Sequence, residues 1–242
     1  DKFSDASNKL GTQMKATGEV MSIGRTMEES LLKAVRSLET GVCHIYHKKF
    51  DKWSNDDLLA YIKGGTDDRL YAIGQLIRNG VDLALIYDKT KIDMFFLEKF
   101  KNIVEFENVV RAHPMDVETL RAAKRMGFSD KYIGQLWGLS QNEMYRLREK
   151  NNVFPVYKMI DTCASEFASY VPYFYSTYEE ENESIVSGKE KIIVLGSGPI
   201  RIGQGVEFDY STVHAIWSIR AAGYEAIIIN NNPETVSTDY TT

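Results

Sequence analysis

The longest helix that this sequence predicts lies in the segment TKIDMFFLEKFKNIVEFENVV, residues 90–110. Thr90 and Asp93 stand at its start, where side chains that accept a hydrogen bond from a backbone N–H are favoured. Pro114 ends the pattern, because proline does not continue a helix. Apolar residues recur through the segment at helical spacing, namely Ile92, Phe95, Phe96, Phe100, Ile103 and Val104. The segment therefore predicts a long helix whose apolar residues need other helices to cover them.

Short helical segments surround this one from about residue 42 to residue 150. Glycine or proline separates them, and most begin close to a side chain that favours helix N-termini. The predicted N-terminal caps are Ser54, Thr66, Asp116, Ser129 and Ser140. We find no internal repeat of the length that solenoid proteins use. We therefore predict a mainly α protein whose centre is a compact bundle of short helices.

The pattern changes in the last third of the chain. Residues 151–190 are rich in tyrosine and phenylalanine and predict an extended connector. After it, KIIVL at 191–195 predicts a buried strand, residues 213–222 a helix and residues 226–229 a second buried strand. One βαβ unit cannot cover both faces of a parallel sheet, so we expect a piece of a longer protein. The alternative is a small sheet that the N-terminal residues complete.

The composition excludes several classes of protein. Of 242 residues, 43% are hydrophobic and 26% are charged, which is ordinary for a globular protein. A formal net charge of -5 lacks the long-range attraction that a general nucleic-acid binder uses. The sequence has no apolar run long enough to span a bilayer. Two distant cysteines, Cys43 and Cys163, make neither a metal cluster nor a disulfide framework, and they favour a reducing cytoplasm.

A glycine-rich loop, GSGPIRIGQG at 196–205, joins the first predicted strand to the helix. Such glycines let the backbone approach a phosphate or an acid closely. Gly196 and Gly198 fit the dinucleotide-binding motif, but Arg201 stands where the third glycine belongs. Three interpretations stay open: a dinucleotide site, a plain tight turn, and a loop that lines a site for a small anion. Arg201 favours the third, as an anion contact.

Residues 130–150 have the spacing of a DNA-binding helix-turn-helix, with Gly138 in the turn and Ser140 as a cap. Arg146, Arg148 and Lys150 would lie on the second helix. An ordinary helical hairpin is the alternative, because a glycine turn and a cap produce the same pattern. Three further residues, Trp137, Met144 and Leu147, are expected to lie in a core.

Two carboxylates flank the predicted strand ends. Glu207 follows the glycine-rich loop and Glu234 follows the second strand. Because the carboxyl ends of neighbouring parallel strands face one crevice, both can converge within reach of Arg201. The alternative is an acid at the start of a helix and an unrelated acid in a loop.

No metal site is expected from the histidines, because clustered cysteines or carboxylates do not accompany them in sequence. The four are His44, His47, His113 and His214. Cys163 lies among apolar residues and predicts a buried structural thiol.

Several long strings of residues carry a resemblance to one known family. They are MKATGEVMSIGRTMEESLLKAVRSLE at 14–39, PVYKMIDTCASEF at 155–167, YFYSTYEEE at 173–181, VLGSGPIRIGQGVEFDYS at 194–211 and NNPETVSTDY at 231–240. These strings resemble the large chain of carbamoyl phosphate synthetase, and the resemblance is weakest at 42–130.

The resemblance implies a central slice of that large chain. Residues 1–41 would be the C-terminal end of the first ATP-grasp domain. Residues 42–190 would be the helical oligomerisation domain with its aromatic connector. Residues 191–242 would be the truncated start of the second pre-ATP-grasp domain, which is Rossmann-like.

The resemblance also implies the chemistry of the parent enzyme. That family makes carbamoyl phosphate from bicarbonate, two ATP and ammonia, which a small glutamine amidotransferase chain supplies. ATP and Mg or Mn are therefore the expected cofactors of the parent, a ligase of pyrimidine and arginine synthesis, and none is expected on this chain. We expect self-association as a dimer or tetramer, no nucleic acid, no membrane and no catalysis by this chain alone. Gly205, Glu207 and Glu234 match positions associated with the internal passage of carbamate.

Overall fold

The computed structural model describes residues 5, 7–13, 20–161, 163–168, 173–196, 198 and 207–230. The chain forms two compact units. The helical unit comprises Asp1–Gln13, Gly24–Arg36 and Thr40–Phe154, and the mixed unit comprises Met14–Ile23, Ser37–Glu39 and Pro155–Thr242.

Short helices build the helical unit, as the sequence predicts. They are α1 (Met27–Ser37, whose last residue belongs to the mixed unit), a 3-10 helix (Lys48–Phe50), α2 (Asn55–Lys63), α3 (Arg69–Arg78), α4 (Leu83–Thr90), α5 (Met94–Ala112), α6 (Val117–Arg125), α7 (Asp130–Trp137) and α8 (Gln141–Lys150). Helix α5 contacts α3, α4, α6 and α7 and is the centre of the bundle.

Capping side chains set most of the helix starts. Ser54, Asp116, Ser129 and Ser140 each accept a hydrogen bond from a backbone N–H in the first turn of their helix, which confirms four predicted caps. Helix α3 begins at Arg69, later than Thr66 predicts.

The prediction that Thr90 begins the longest helix is wrong. Thr90 is the last residue of α4, and its hydroxyl donates to the Ile86 carbonyl oxygen across 2.8 Å. The cap of α5 is Asp93, whose carboxylate accepts the Phe95 N–H across 2.8 Å. A threonine side chain can bond to either end of a helix, and here the C-terminal bond is formed.

The core of the helical unit lies along one side of α5. Leu97, Phe100, Ile103, Val104 and Val110 of α5 are buried. Fully buried side chains from the neighbouring helices pack in the same unit, among them Leu32, Leu58, Ile62, Ile73, Leu76, Ile86 and Leu120. Phe95 and Phe96, which stand in the predicted apolar series, are exposed in the first turn of α5.

In the residues of the mixed unit that the structure describes, the strands form two small sheets. Strand β1 (Val156–Met159) pairs antiparallel with β2 (Phe174–Thr177) in the segment that predicts an extended connector. Strand β3 (Lys191–Leu195) pairs parallel with β4 (Glu225–Ile229), with Lys191 opposite Glu225. Helix α9 (Glu207–Ala221) connects β3 to β4 and packs on both.

The prediction that both strands of this parallel sheet are buried is wrong for the residues that the structure describes. Ile193, Leu195 and Ile229 are exposed. A two-stranded sheet that packs on one helix keeps much of its apolar surface open, because parallel sheets need helices on both faces. The fold class is confirmed: the chain is mainly α, with a helical domain and a partial α/β unit. The domain boundaries at 41 and 190 stay predictions.

Within the described part of the chain, no helix has the length and apolar character that crossing a membrane requires.

Candidate functional site

The carboxyl ends of β3 and β4 lie side by side in the mixed unit. Leu195 is paired with Ile229, and the Gly196 N–H donates to the Ile229 carbonyl oxygen across 2.8 Å. The glycine-rich loop therefore leaves β3 at the point where Asn230 follows β4. In open α/β sheets, ligands bind in the crevice beyond such strand ends.

Close packing requires glycine at position 196. A Cβ placed on Gly196 would lie 2.5 Å from the Cγ atom of Asn230. The Asn230 side chain therefore fills the space that any side chain at position 196 would need.

The side chain of Glu39 lies against the second glycine of the loop. Gly198 has a φ of 74°. A Cβ placed on it would lie 3.4 and 3.6 Å from the two carboxylate oxygens of Glu39. Glu39 itself has a φ of 54°, a left-handed conformation that is uncommon for residues other than glycine. Both residues belong to the mixed unit, although they are far apart in sequence.

The site residues predicted from sequence are only partly covered by the structure. Glu207 is the first residue of α9, as its position after the loop suggests, but its side chain lies outside the described residues. Arg201, Gly205 and Glu234 lie outside them altogether. Their roles as an anion contact and as parts of a carbamate passage stay predictions.

A buried network of charged and aromatic side chains lies inside the helical unit, at residues that the sequence did not mark as a site. The Glu107 carboxylate accepts hydrogen bonds from His44 Nε2 at 2.9 Å and from Arg78 Nε at 2.8 Å. Arg78 Nη2 donates to the same carboxylate and to the Ile45 carbonyl oxygen. The Tyr132 ring stacks on the His44 ring with centroids 3.7 Å apart. The network thus joins α3, α5, α7 and the loop that follows α1.

The pKa values in this network show how its charge is balanced. Burial alone raises the pKa of Glu107, but hydrogen bonds from Arg78 and His44 outweigh it and hold this pKa at about 2. Burial lowers the pKa of His44 to about 4, although its bond to Glu107 opposes that change. At neutral pH the network therefore holds a carboxylate, a guanidinium and a neutral imidazole whose Nε2–H donates. This arrangement pairs the buried carboxylate with a buried guanidinium, and it offers no strong general base near neutral pH.

A second buried network fastens α6 to α7 and α8. Lys124 Nζ donates to Asp130 at 2.9 Å and to the Phe128 carbonyl oxygen at 2.8 Å. Arg148 Nε donates to the other oxygen of Asp130 at 2.9 Å. Burial, opposed by the charge of Asp130, lowers the pKa of Lys124 to about 8.

The helix-turn-helix interpretation of residues 130–150 finds no support in this geometry. The segment does form two helices, with Gly138 in a left-handed turn and a capping box between Ser140 and Glu143. Arg148, however, is buried and bonded to Asp130, so this guanidinium does not face solvent. The hairpin therefore has the internal bonding of a packed structural element.

The histidines and cysteines do not form a metal centre among the residues described. In that part of the chain, no group of three or more His, Cys, Asp or Glu side chains could hold a metal ion. Cys163, predicted to be buried, is only half-buried, because it lies in a turn where Asp161 accepts its backbone N–H. Neither Cys43 nor Cys163 takes part in a disulfide.

Comparison with protein families gives two matches. A family described as carbamoyl-phosphate synthetase large chain, oligomerisation domain, matches residues 19–152, which is more than half of the chain. A family described as carbamoyl phosphate synthase preATP-grasp domain matches residues 188–242. The first match covers the helical bundle and the second covers β3, α9 and β4. The chain therefore belongs to the family of the carbamoyl-phosphate synthetase large chain.

Proposed function

We propose that this chain is the central segment of a carbamoyl phosphate synthetase large chain. In that role, the helical unit mediates self-association, and residues 191–242 are the beginning of the second synthetase half. The observation that supports the proposal is the order of the two family matches, an oligomerisation domain at 19–152 followed by a preATP-grasp domain at 188–242.

The parent enzyme in this proposal is an ATP-dependent ligase. It joins bicarbonate and ammonia, with the ammonia supplied by a small amidotransferase chain, and it consumes two ATP for each carbamoyl phosphate. ATP and Mg or Mn are the proposed cofactors of the parent enzyme. Two cysteines that form no disulfide support a cytoplasmic enzyme, and the family supports roles in pyrimidine and arginine synthesis.

We further propose that the chain has no catalytic activity alone. Phosphoryl transfer needs a bound nucleotide with its cations positioned beside it. What supports the proposal is that neither matched family is described as an ATP-grasp domain: one is an oligomerisation domain and the other a preATP-grasp domain. The measurement is bicarbonate-dependent ATP hydrolysis by the purified 242-residue chain. We expect none above a buffer blank, and a bicarbonate-dependent rate that follows chain concentration would contradict the proposal.

The proposed role of the loop after β3 is to line a polar route for carbamate. Gly205, Glu207 and Glu234 are the candidates, with Arg201 as an anion contact. The adjacent ends of β3 and β4 support this role, because residues that follow them belong to one edge of the sheet.

Glu207→Gln and Glu234→Gln in the complete synthetase test the route. Carbamate decomposes when it meets water, so a leaking route raises the number of ATP consumed per carbamoyl phosphate formed. Glu190→Gln is the matched control, because Glu190 is an exposed carboxylate of the same unit. An unchanged ratio in both passage variants would rule the route out.

A further inference from the structure

We propose that two copies of this chain associate through the α4–α5 patch, a surface made by Leu85 and Tyr87 of α4 and by Phe95 and Phe96 of α5. The inference rests on the proposed self-association of the helical unit, and it identifies the surface that pairs. The partner is a second copy related by a two-fold axis. Three features support this pairing: the apolar character of α4, the exposed rings of α5 and the charges that border them.

Helix α4 is apolar on more sides than its own unit covers. Its first five residues, 83–87, read LALIY and are all apolar. Within α4, every residue of which the structure describes, only Ile86 is buried. Leu85 and Tyr87 lie on the two flanks of Ile86 and are 40% and 42% exposed. A helix that is apolar all round is normally buried, so α4 has the composition of an element that a further surface covers.

The first turn of α5 adds two exposed rings close to the end of α4. Phe95 and Phe96 are 52% and 41% exposed, and their ring centroids lie 5.3 Å apart. Only residues 91–93 separate the two helices, which also pack on each other. Three such rings and a leucine together expose roughly 300 Å² of apolar surface. Patches of this size are often functional, and aromatic residues are enriched where proteins meet.

Charges of both signs border the α4–α5 patch. Lys91 Nζ lies 3.0 Å from the Asp88 carboxylate, and Lys89 Nζ lies 3.7 Å from it. The side chains of Asp88 and Lys91 are still 62% and 67% exposed. A two-fold axis places a surface opposite itself, so a border of one sign would repel its copy. A border with both signs can place Asp88 of each copy against Lys91 of the other, in two equivalent pairs.

The family match gives an independent reason for a second copy as the partner. The match to an oligomerisation domain covers residues 19–152, which include all of α4 and α5. A stable interface buries about 800 Å² on each partner, with an apolar core and a polar rim. The α4–α5 patch has the character of that core, and the charged residues beside it have the character of the rim.

Two matched tyrosine variants of the 242-residue chain test the patch by sedimentation equilibrium. Tyr87 on α4 and Tyr145 on α8 are 42% and 50% exposed. A basic group lies over each ring, Lys91 Nζ at 5.5 Å and the Arg148 guanidinium at 5.6 Å. We expect Tyr87→Ser to raise the Kd of self-association about tenfold and Tyr145→Ser to leave it unchanged. The helical circular dichroism signal should match the wild type in both variants, because both side chains lie at the surface.

Asp88→Lys and Lys91→Asp test the two-fold arrangement. Both substitutions suit the local backbone, because a cation is favoured in the last turn of a helix and aspartate tolerates the left-handed conformation at position 91. Each variant alone places like charges opposite each other, so its Kd should rise about tenfold. An equimolar mixture of the two restores opposite charges in both pairs, and its Kd should return to within about a factor of two of the wild type.

The outcomes separate the α4–α5 patch from self-association itself. If the wild type stays monomeric at every concentration, both are wrong. If the wild type associates and Tyr87→Ser associates equally well, the patch is wrong and self-association stands. Equal weakening by the two tyrosine variants would also overturn the patch, because the loss would not be specific to α4. If the mixture of charge variants associates no better than either variant alone, the two-fold pairing is overturned.

Discussion

Glu107 balances the charge of the helical interior, since its side chain is 2% exposed and accepts hydrogen bonds from Arg78 and His44. Glu107→Gln keeps the shape of the side chain and removes its negative charge. The Arg78 guanidinium then has no buried group of opposite charge beside it. We expect the free energy of unfolding to fall by about 3–5 kcal/mol. Urea denaturation followed by the helical circular dichroism signal measures this change.

The matched control for Glu107 is Glu105→Gln, on the same helix. Glu105 is 61% exposed and faces Lys101 one turn away at 3.5 Å. An exposed ion pair of this kind contributes little to stability. The free energy of unfolding of the control should therefore lie within about 0.5 kcal/mol of the wild-type value. Equal stability of the two variants would show that the buried network does not stabilise the unit.

His44 makes the stability of the helical unit depend on pH. Its pKa falls from 6.5 to about 4 on folding, so between these values the unfolded chain binds a proton that the folded chain does not. Stability therefore rises with pH across this window and falls on acidification, by roughly 3 kcal/mol in total. The depressed pKa of Glu107 acts in the same direction at lower pH, since its contribution is lost as pH falls towards about 2.

His44→Gln should flatten the pH dependence of the urea midpoint between pH 4 and 6.5. Glutamine can still donate to Glu107, and the His44 Nδ1 atom has no hydrogen-bond partner that its loss would orphan. His113→Gln serves as the control, because the His113 side chain is exposed. If the urea midpoint of His44→Gln changes with pH as steeply as that of the wild type, the pH dependence comes from other groups.

Sequence reasoning at the residue scale found the caps and missed the buried charges. Glu107 continues the helical spacing of Phe100, Ile103 and Val104, which is the signal that places it on the buried face. A glutamate at such a position predicts a buried partner. The partners themselves, Arg78 and His44, come from a different helix and a loop, and spacing along one helix gives no information on them.

Helix α8 owes its start to a capping box, in which the Ser140 hydroxyl accepts the Glu143 N–H and the Glu143 carboxylate accepts the Ser140 N–H. Ser140→Ala removes one half of this exchange and should lower the free energy of unfolding by about 1 kcal/mol. Ser140→Asp keeps an acceptor at the cap and should restore most of the loss. If both variants have the same free energy of unfolding as the wild type, the cap does not contribute to the stability of the hairpin.

The start of a helix was predictable where one capping side chain determines it. It was not predictable where the same side chain can bond to either of two neighbouring helices. Ser54, Asp116, Ser129 and Ser140 each precede a helix by one residue, and their local bonds settle the boundary. Thr90 lies between two helices and bonds backwards to Ile86, so sequence alone assigned it to the wrong one. The predicted burial of β3 and β4 failed because exposure depends on what covers a sheet, which lies outside the strand sequences.

At the scale of the whole molecule, the family match makes self-association the property to measure first. Most of the residues in the oligomerisation-domain match, 19–152, belong to the helical unit. That unit exposes several large apolar side chains, among them Leu85, Tyr87, Phe95 and Phe96, as interfaces between subunits commonly do.

Sedimentation equilibrium of this chain over a wide concentration range should therefore give a mass of two or four chains of 27.6 kDa. Apolar association persists at high salt, whereas association through exposed ion pairs weakens, so the same run at high ionic strength identifies the force. Loss of the assembly in a Phe95→Ser variant but not in Val109→Ser would locate the contact at the first turn of α5. A chain that stays monomeric at every concentration would contradict self-association by the helical unit alone, and it would mean that this unit is a spacer or that association requires other domains of the parent enzyme.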